Sequence, residues 1–290
     1  MGRQPLVEEI YTPLTASQVF HAFKDHPYSC FLDSGMDPGR LGRYSFISSN
    51  PFLVLKSRGD EVVLLKGNKK EVRYGNPFDV VGELLDKYYL DGCPSDIPFA
   101  GGAIGYFSYD LCHFIERLPT TAVDDLQLPE CYLAFYDAAV VVDHGKERSY
   151  LVATGFPELE ERKRIKKAGE TLRHLKSLLT DSVRFPEAPA CDFVDEGTML
   201  KSNFSREEYL RAVARAREYI CAGDIFQVNL SQRFEADLNV SPYELHQRLR
   251  SINPAPFASY LNFEDVSLVG ASPERFLKVQ GDWVETRPIK

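Results

Sequence analysis

No run in this chain approaches the ~18 consecutive apolar residues that a membrane span requires, and no block is dense in lysine and arginine. Acidic residues outnumber basic ones, 42 to 34, for a net charge of −8. A nucleic-acid or anionic-membrane partner needs a positive field to offset phosphate, so neither is expected. The six cysteines (Cys30, Cys93, Cys112, Cys131, Cys191 and Cys221) are far apart and include no C-x-x-C pair. That spacing excludes a zinc knuckle or a disulfide framework and reads as small apolar residues in a reducing compartment. The first ten residues carry Glu8 and Glu9 and no apolar core, unlike a secretory signal. Gly2 would suit myristoylation, but Leu6 stands where serine or threonine is wanted. A cytoplasmic protein is expected. The common local catalytic signatures G-x-x-x-x-G-K-[ST], H-E-x-x-H, G-x-S-x-G and the EF-hand loop are absent as well.

What is present is a chain of 290 residues, 44% hydrophobic and 12% aromatic, long enough for one large or two ordinary domains with a real core. Phe52 to Lys66 reads as a hairpin turning at Arg58-Gly59-Asp60, with Gly59 supplying a positive φ, and Glu71 to Tyr74 as a further strand. Asn76 caps a helix that starts at Pro77, runs to about Tyr89 and carries Val80, Leu84 and Tyr88 on one face. Gly101 to Phe107, Cys131 to Val142 and Tyr150 to Ala153 are strand candidates, and Glu158 to Leu179 has helical periodicity. Asp181 to Ser202 lacks periodicity and reads as a linker. Ser205 and Ser241 each open a capping box, the first helix stopping at Gly223 and the second near Ile252. Ile225 to Phe234 alternates apolar and polar residues as a strand would, and Ala258–Phe263, Ser267–Ala271, Phe276–Val279 and Trp283–Arg287 complete the strands. Antiparallel hairpins in both halves predict an α+β fold, not a parallel dinucleotide-binding sheet.

Taken singly, the polar residues carry little chemical information. Gly101-Gly102-x-x-Gly105 is too short for a dinucleotide loop and reads as a strand that needs close backbone approach. The six histidines are dispersed and read as surface or satisfied polar residues. Gln227, Asn229, Ser231 and Arg233 share one face of their expected strand, which reads as a solvated edge. Glu274 beside Arg275 reads as a surface ion pair, and Lys290 as a terminal charge.

Together they form a pattern. Asp224 to Phe234 (DIFQVNLSQRF), Asn253-Pro254-Ala255-Pro256-Phe257, Ser272-Pro273-Glu274-Arg275-Phe276 and Thr286-Arg287-Pro288-Ile289-Lys290 resemble the chorismate-utilising enzymes, and within them the aminodeoxychorismate synthase component I branch. Leu32-Asp33-Ser34, Gly42-Arg43-Tyr44-Ser45-Phe46 and Gly101 to Asp110 are similar to the N-terminal region of that family. The resemblance runs in order through nearly the whole chain. It implies two packed antiparallel sheets flanked by helices. It also divides the chain into an N-terminal region (1–155), a helix and linker (156–203) and the first part of a chorismate-binding domain (204–290).

The resemblance assigns Lys290 as the nucleophile that adds to chorismate C2 while the C4 hydroxyl leaves, and Glu274 as the acid that protonates that hydroxyl. A lysine attacks only as the neutral amine, and hydroxide leaves only when protonated, so both roles suit the side chains. Gln227 stands where isochorismate and salicylate synthases carry a water-activating lysine, and anthranilate synthases carry alanine at the position of Lys290; the combination points to ammonia as attacking group. The same resemblance implies a tryptophan pocket made of Ser34, Tyr44, Ser45, Phe46, Pro256, Phe257 and Ala258, and a glutamine amidotransferase partner that supplies ammonia. In the family the sequence continues past P-I-K, and that continuation carries the glutamates that bind Mg²⁺. A chain of these residues alone is therefore expected to be catalytically incomplete. Alternatives are an anthranilate synthase component I, or a non-catalytic fragment that binds tryptophan or the amidotransferase.

Overall fold

Alternating residues become strands here wherever a neighbouring strand can take up their backbone hydrogen bonds. The computed structural model describes residues 2–34, 41–94, 97–181 and 199–289. Its first unit, Met1–Pro189 with Pro242–Lys290, opens with β1 (Leu6–Ile10), α1 (Ala16–His21), β2 (Cys30–Asp33) and β3 (Tyr44–Ser48). A meander follows, β4 (Leu53–Arg58), β5 (Glu61–Lys66) and β6 (Lys69–Tyr74), then α2 (Pro77–Lys87) and β7 (Gly102–Phe107). After a 3-10 turn at Tyr109–Phe114 come β8 (Cys131–Tyr136), β9 (Ala138–Asp143), β10 (Arg148–Ala153) and α3 (Glu161–Asp181). The second unit, Ala190–Ser241, contains β11 (Lys201–Ser202), α4 (Arg206–Ala222) and β12 (Phe234–Glu235). The first unit resumes with α5 (Pro242–Ile252), β13 (Phe257–Asn262), β14 (Ser267–Ser272), β15 (Arg275–Gln280) and β16 (Trp283–Arg287).

In the first unit a seven-stranded sheet runs β1-β10-β9-β3-β2-β13-β14 and a five-stranded sheet runs β6-β5-β4-β8-β7. Both are antiparallel, and strands β13 and β14 extend a sheet otherwise built from the first 155 residues. Period-2 alternation sorts the side chains into layers. Tyr132, Ala134 and Tyr136 of β8 meet Cys30 and Leu261 of the other sheet, while Leu133 and Phe135 face α2 through Val80, Val81 and Leu84. On the outer face of the larger sheet, Phe31, Ile47, Val140 and Leu151 pack against Val19 and Phe20 of α1, Leu172 and Leu175 of α3, and Tyr243 of α5. Each large side chain buried in these layers contributes about 1.5–3 kcal/mol relative to exposure. The α+β class and the paired antiparallel sheets expected from the sequence are the observed fold.

Local expectations mostly hold. Asn76 Oδ1 accepts from Phe78 N at 3.0 Å to cap α2, and Gly59 turns the β4–β5 hairpin at φ +53°. Any Cβ at Gly105 would overlap the Tyr132 carbonyl of β8, which is the close approach read from the glycine-rich segment. All five described cysteines are free. Burial pushes the Cys30 and Cys131 thiols up to about 12, so these two behave as small apolar residues.

Two expectations are corrected. Cys131 to Val142 is two strands in different sheets, β8 and β9, that break at Asp137. Both strands are covered on both faces, so they read as one apolar run with no glycine or proline to mark the crossing. Ile225 to Phe234 is not a strand beyond Phe234–Glu235. Among the described residues of its own unit, β12 pairs with the two residues of β11 and no other strand partners the rest of the segment. Residues 182–198 of the expected linker lie outside the described residues.

Candidate functional site

Three segments singled out in the sequence lie side by side. Strand β2 is flanked by β3 and β13, with Leu32 opposite Phe46 and Asp33 opposite Ala258. This register brings Leu32-Asp33-Ser34, Tyr44-Ser45-Phe46 and Pro256-Phe257-Ala258 together although more than 200 residues separate the first from the last.

Asp33 is the hub. Its side chain is fully buried, and its two oxygens accept from Ser45 Oγ at 3.0 Å and from Arg250 Nε at 2.5 Å. Ser45 Oγ also accepts from Ser34 N at 3.2 Å and lies 2.8 Å from His144 Nε2. A hydroxyl has one proton and two lone pairs. That proton goes to Asp33, so His144 must donate from Nε2, which sets its tautomer. Burial lowers the pKa of His144, and Arg250 lowers it further, against the opposing charges of Asp33 and Asp143. Ser34 Oγ donates to the Tyr44 carbonyl at 2.7 Å and sits 3.4 Å from the Pro256 carbonyl, so one side chain ties all three segments.

Strand alternation divides the seven residues expected around the pocket. Ser45 shares the helix-covered face with Asp33, whereas Tyr44 and Phe46 pack on the opposite face, stacked on each other at 6.2 Å, with Phe99 edge-on to Phe46 at 5.9 Å. Beside them Arg43 forks onto buried Asp143, at 3.0 Å from Nε and 2.9 Å from Nη2, and covers the Tyr44 ring at 4.8 Å. Burial works against the charge on Asp143, but Arg43 and the backbone N–H groups of Lys146 and Gly145 outweigh it and hold the carboxyl below its usual range. Ala258 is buried, and the Phe257 ring faces the Arg275 guanidinium at 5.2 Å.

Of the residues expected to carry the reaction, Glu274 is the one among the described residues of this unit. Glu274 is exposed in the turn before β15, with its backbone N–H on Ser272 Oγ at 3.3 Å. Arg275 pairs with Glu285 across the β15–β16 hairpin, in place of the expected pair with Glu274. Arg287 joins it at 2.9 Å, and hydrogen bonds from Arg287 and Arg275 hold the Glu285 carboxyl down at about 2. Lys290 lies outside the described residues. Gln227 belongs to the second unit, exposed, with its amide donating to Asn229 Oδ1 at 3.2 Å.

Three residues of the hub were not anticipated: His144, His246 and Arg250. His246 is 1% exposed, wedged between Phe31 and Tyr260 at 5.7 and 5.5 Å, and neither ring nitrogen has a partner among the described residues. It is therefore neither a surface nor a satisfied histidine. Burial drives it down to about 4. The available signal was the i, i+4 spacing of His246 and Arg250 on α5, which puts both on the helix face turned to the sheet. Asp33 and Arg250 neutralise each other, and Phe31 and Tyr260 enclose the His246 imidazole beside them.

Comparison with known proteins adds the following. The family described as chorismate binding enzyme matches residues 31–290. The chain is 37% identical over 289 residues to anthranilate synthase component 1 of Thermus thermophilus, covering 99% of this chain and 58% of that protein. It is 33% identical over 292 residues to anthranilate synthase component 1 of Acetivibrio thermocellus (98% and 59%). It is 30% identical over 265 residues to aminodeoxychorismate synthase component 1 of Escherichia coli (91% and 54%). The chain thus spans under two thirds of the length of these curated relatives. The crystal structure of anthranilate synthase component I from Streptococcus pneumoniae superposes with a TM-score of 0.67 at 24% identity, over 84% of this chain and 53% of that one, a likeness of fold.

Proposed function

Because the chain belongs to the chorismate binding enzyme family, we propose that it is part of an aminodeoxychorismate synthase component I, which replaces the C4 hydroxyl of chorismate by ammonia in 4-aminobenzoate and folate synthesis. The observation that carries the branch is the pairing of Lys290 with Gln227 in the sequence. Lys290 supplies an amine nucleophile, and Gln227 supplies no base for water, whereas ammonia attacks without one. The Lys290 amine bonds to C2, the ring double bonds shift, and the C4–O bond breaks as Glu274 passes its proton to the departing hydroxyl, releasing water. Ammonia then bonds to C4, the double bonds return, and the C2–N bond breaks to free the lysine. Exposed Glu274 needs cover from further residues to deliver that proton to substrate instead of solvent.

The amidotransferase partner, the tryptophan pocket around Ser34 and Ser45, and a cytoplasmic location belong to the same reading. No helix among the described residues is long and apolar enough to cross a membrane. Among the described residues no three histidine, cysteine or carboxylate side chains gather as a metal site. These residues therefore do not fit Mg²⁺, and no step is routed through it. The anthranilate synthases among the more similar relatives favour a second reading, anthranilate synthase component I.

Product identity separates the two. A chain extended to the length of its relatives, given chorismate, ammonium and Mg²⁺, should yield 4-amino-4-deoxychorismate, and Lys290→Ala should abolish it. Fluorescent anthranilate as product, or full activity of the alanine variant, would overturn the assignment. The chain spans under two thirds of the length of these relatives, and assayed as it stands it should turn over far more slowly than the extended chain; equal rates would overturn that expectation.

A further inference from the structure

Two arginines face each other on the β15–β16 hairpin. Arg275 stands directly opposite Arg287, and Glu285, two residues before Arg287, shares their face of the ladder. Like charges placed opposite each other repel. Glu285 offsets both: its Oε1 accepts from Arg275 Nη1 and from Arg287 Nε at 2.9 Å, and its Oε2 accepts from Arg287 Nη2 at 3.2 Å. The Phe257 ring also covers the Arg275 guanidinium, so that side chain keeps only 18% of its exposure.

The consequence falls on Glu274. Arg275 is its neighbour in the chain, and ion pairs between adjacent residues do form in this molecule, as Lys24 does with Asp25 at 2.5 Å. Arg275 is nevertheless turned to Glu285, and Glu274 has no ion-pair partner among the described residues. No other cation on the neighbouring elements takes its place. Strands β13 and β14 carry no charged side chain. On α5, packed beside β14, Arg248 and Arg250 are held by Glu244 and Asp33. Lys278 lies opposite Glu285 beyond a bulge in β15, and Asp282 lies in the hairpin turn. A carboxyl that pairs with a guanidinium stays ionised and has no proton to give, so an acid at this position requires Arg275 to be kept off it.

We propose, on the reading of Glu274 as the general acid, that Glu285 is its positioning residue: by holding Arg275 against the opposite strand, it leaves the Glu274 carboxyl free to carry the proton that the C4 hydroxyl takes as it leaves as water. Removing the Glu285 charge leaves Arg275 and Arg287 face to face without compensation. Arg275 then turns to the carboxylate next to it.

The first measurement follows the Glu274 carboxyl by ¹³C NMR in the 290-residue chain, with Glu274→Gln to assign the signal. Glu285→Gln should lower the titration midpoint of that carboxyl by about one pH unit, the low end of what an adjacent opposite charge does, because the site is exposed. Adding Arg275→Met should return the midpoint to that of the unaltered chain. In the extended chain, supplied with chorismate, ammonium and Mg²⁺, the basic limb of kcat should move with it, a loss of about tenfold above the limb, at unchanged KM. Arg275→Met should restore this limb too, which it would not do if Glu285 merely stiffened the hairpin. An unmoved midpoint in Glu285→Gln, or a shift that persists without Arg275, would overturn the proposal alone. A midpoint that moves while the rate limb stays would refute Glu274 as the acid, and the proposal with it, whichever product the extended chain forms.

Discussion

Replacing Arg250 by methionine removes the charge partner of Asp33 and leaves the shape of α5 nearly unchanged. The Asp33 side chain is wholly inaccessible, whereas Arg250 retains 33% of its exposure. Breaking a fully buried pair by removing one member costs about 3–5 kcal/mol, because the remaining charge loses its compensation. Here water can enter where the guanidinium stood, and Ser45 still donates to Oδ1, so the expected loss is about 2–3 kcal/mol. Asp33→Asn turns an amide N–H₂ toward Arg250 or Ser45 and should cost about 2 kcal/mol alone. With both changes made, neither an unpaired carboxylate nor an unpaired guanidinium remains, and the total should fall short of the sum by about 1.5–2 kcal/mol. Urea unfolding of the four proteins, followed by near-ultraviolet circular dichroism, measures this coupling from the shift in midpoint at constant slope. A coupling below about 0.5 kcal/mol would show that the pair is solvated, and Asp33 could then no longer be treated as the organising charge of the site.

Gly105→Ala should destabilise the first unit by about 1–3 kcal/mol, since its Cβ would lie 2.9 Å from Leu133 Cα, closer than the about 3.5–4.0 Å of a relaxed carbon contact, and backbone cannot rotate away. Gly82→Ala in α2, where the new methyl meets nothing within 4 Å, should stabilise by up to about 1 kcal/mol; equal midpoints for the two variants would contradict the close approach of β7 to β8. His246 titrates near 4 when folded and near 6.5 when unfolded, so the unfolded chain takes its proton first as pH falls. Stability should therefore drop between about pH 6.5 and 4, by up to about 3 kcal/mol from this group, and His246→Leu should flatten that part of the profile; parallel profiles would show that the imidazole is hydrated. Tryptophan titrated calorimetrically should bind the first unit, and Ser34→Ala should weaken it about tenfold, whereas no binding heat in the unaltered chain would remove the pocket assignment.

How far the fold could be read in advance depended on where each segment finds its hydrogen-bond partner. Asn76, Pro77, Gly59, Ser205 and Gly223 mark boundaries through their own backbone geometry, and each boundary stands where it was expected. The run from Cys131 to Val142 was misread as one strand because both faces of β8 and β9 are covered, which erases the alternation that would have shown two elements. The opposite error arose at Ile225 to Phe234, where alternation is clear but the ladder beside β11 extends only two residues. Hydrophobic period identifies a face; it does not supply a neighbour.

The same distinction governs the site. Ser34, Ser45 and Ala258 could be singled out because their segments carry recognisable order, and the sheet register sets them beside one another. His144, His246 and Arg250 escaped because none is distinguished by its sequence neighbours: each acquires its role from Asp33, 111, 213 and 217 residues away in turn (144 − 33, 246 − 33 and 250 − 33). Asp33 ties them through charge and a shared hydroxyl, and Phe257, on the strand beside it, carries the guanidinium of Arg275, the neighbour of Glu274. The expected amino-acid pocket and the expected general acid are thus joined by β13, β14 and a single aromatic contact. A change in Phe257 that leaves the sheet intact should therefore remove the ring contact of Arg275, which Glu285 still holds, and leave Asp33 in place, because that carboxylate is held by Ser45 and Arg250.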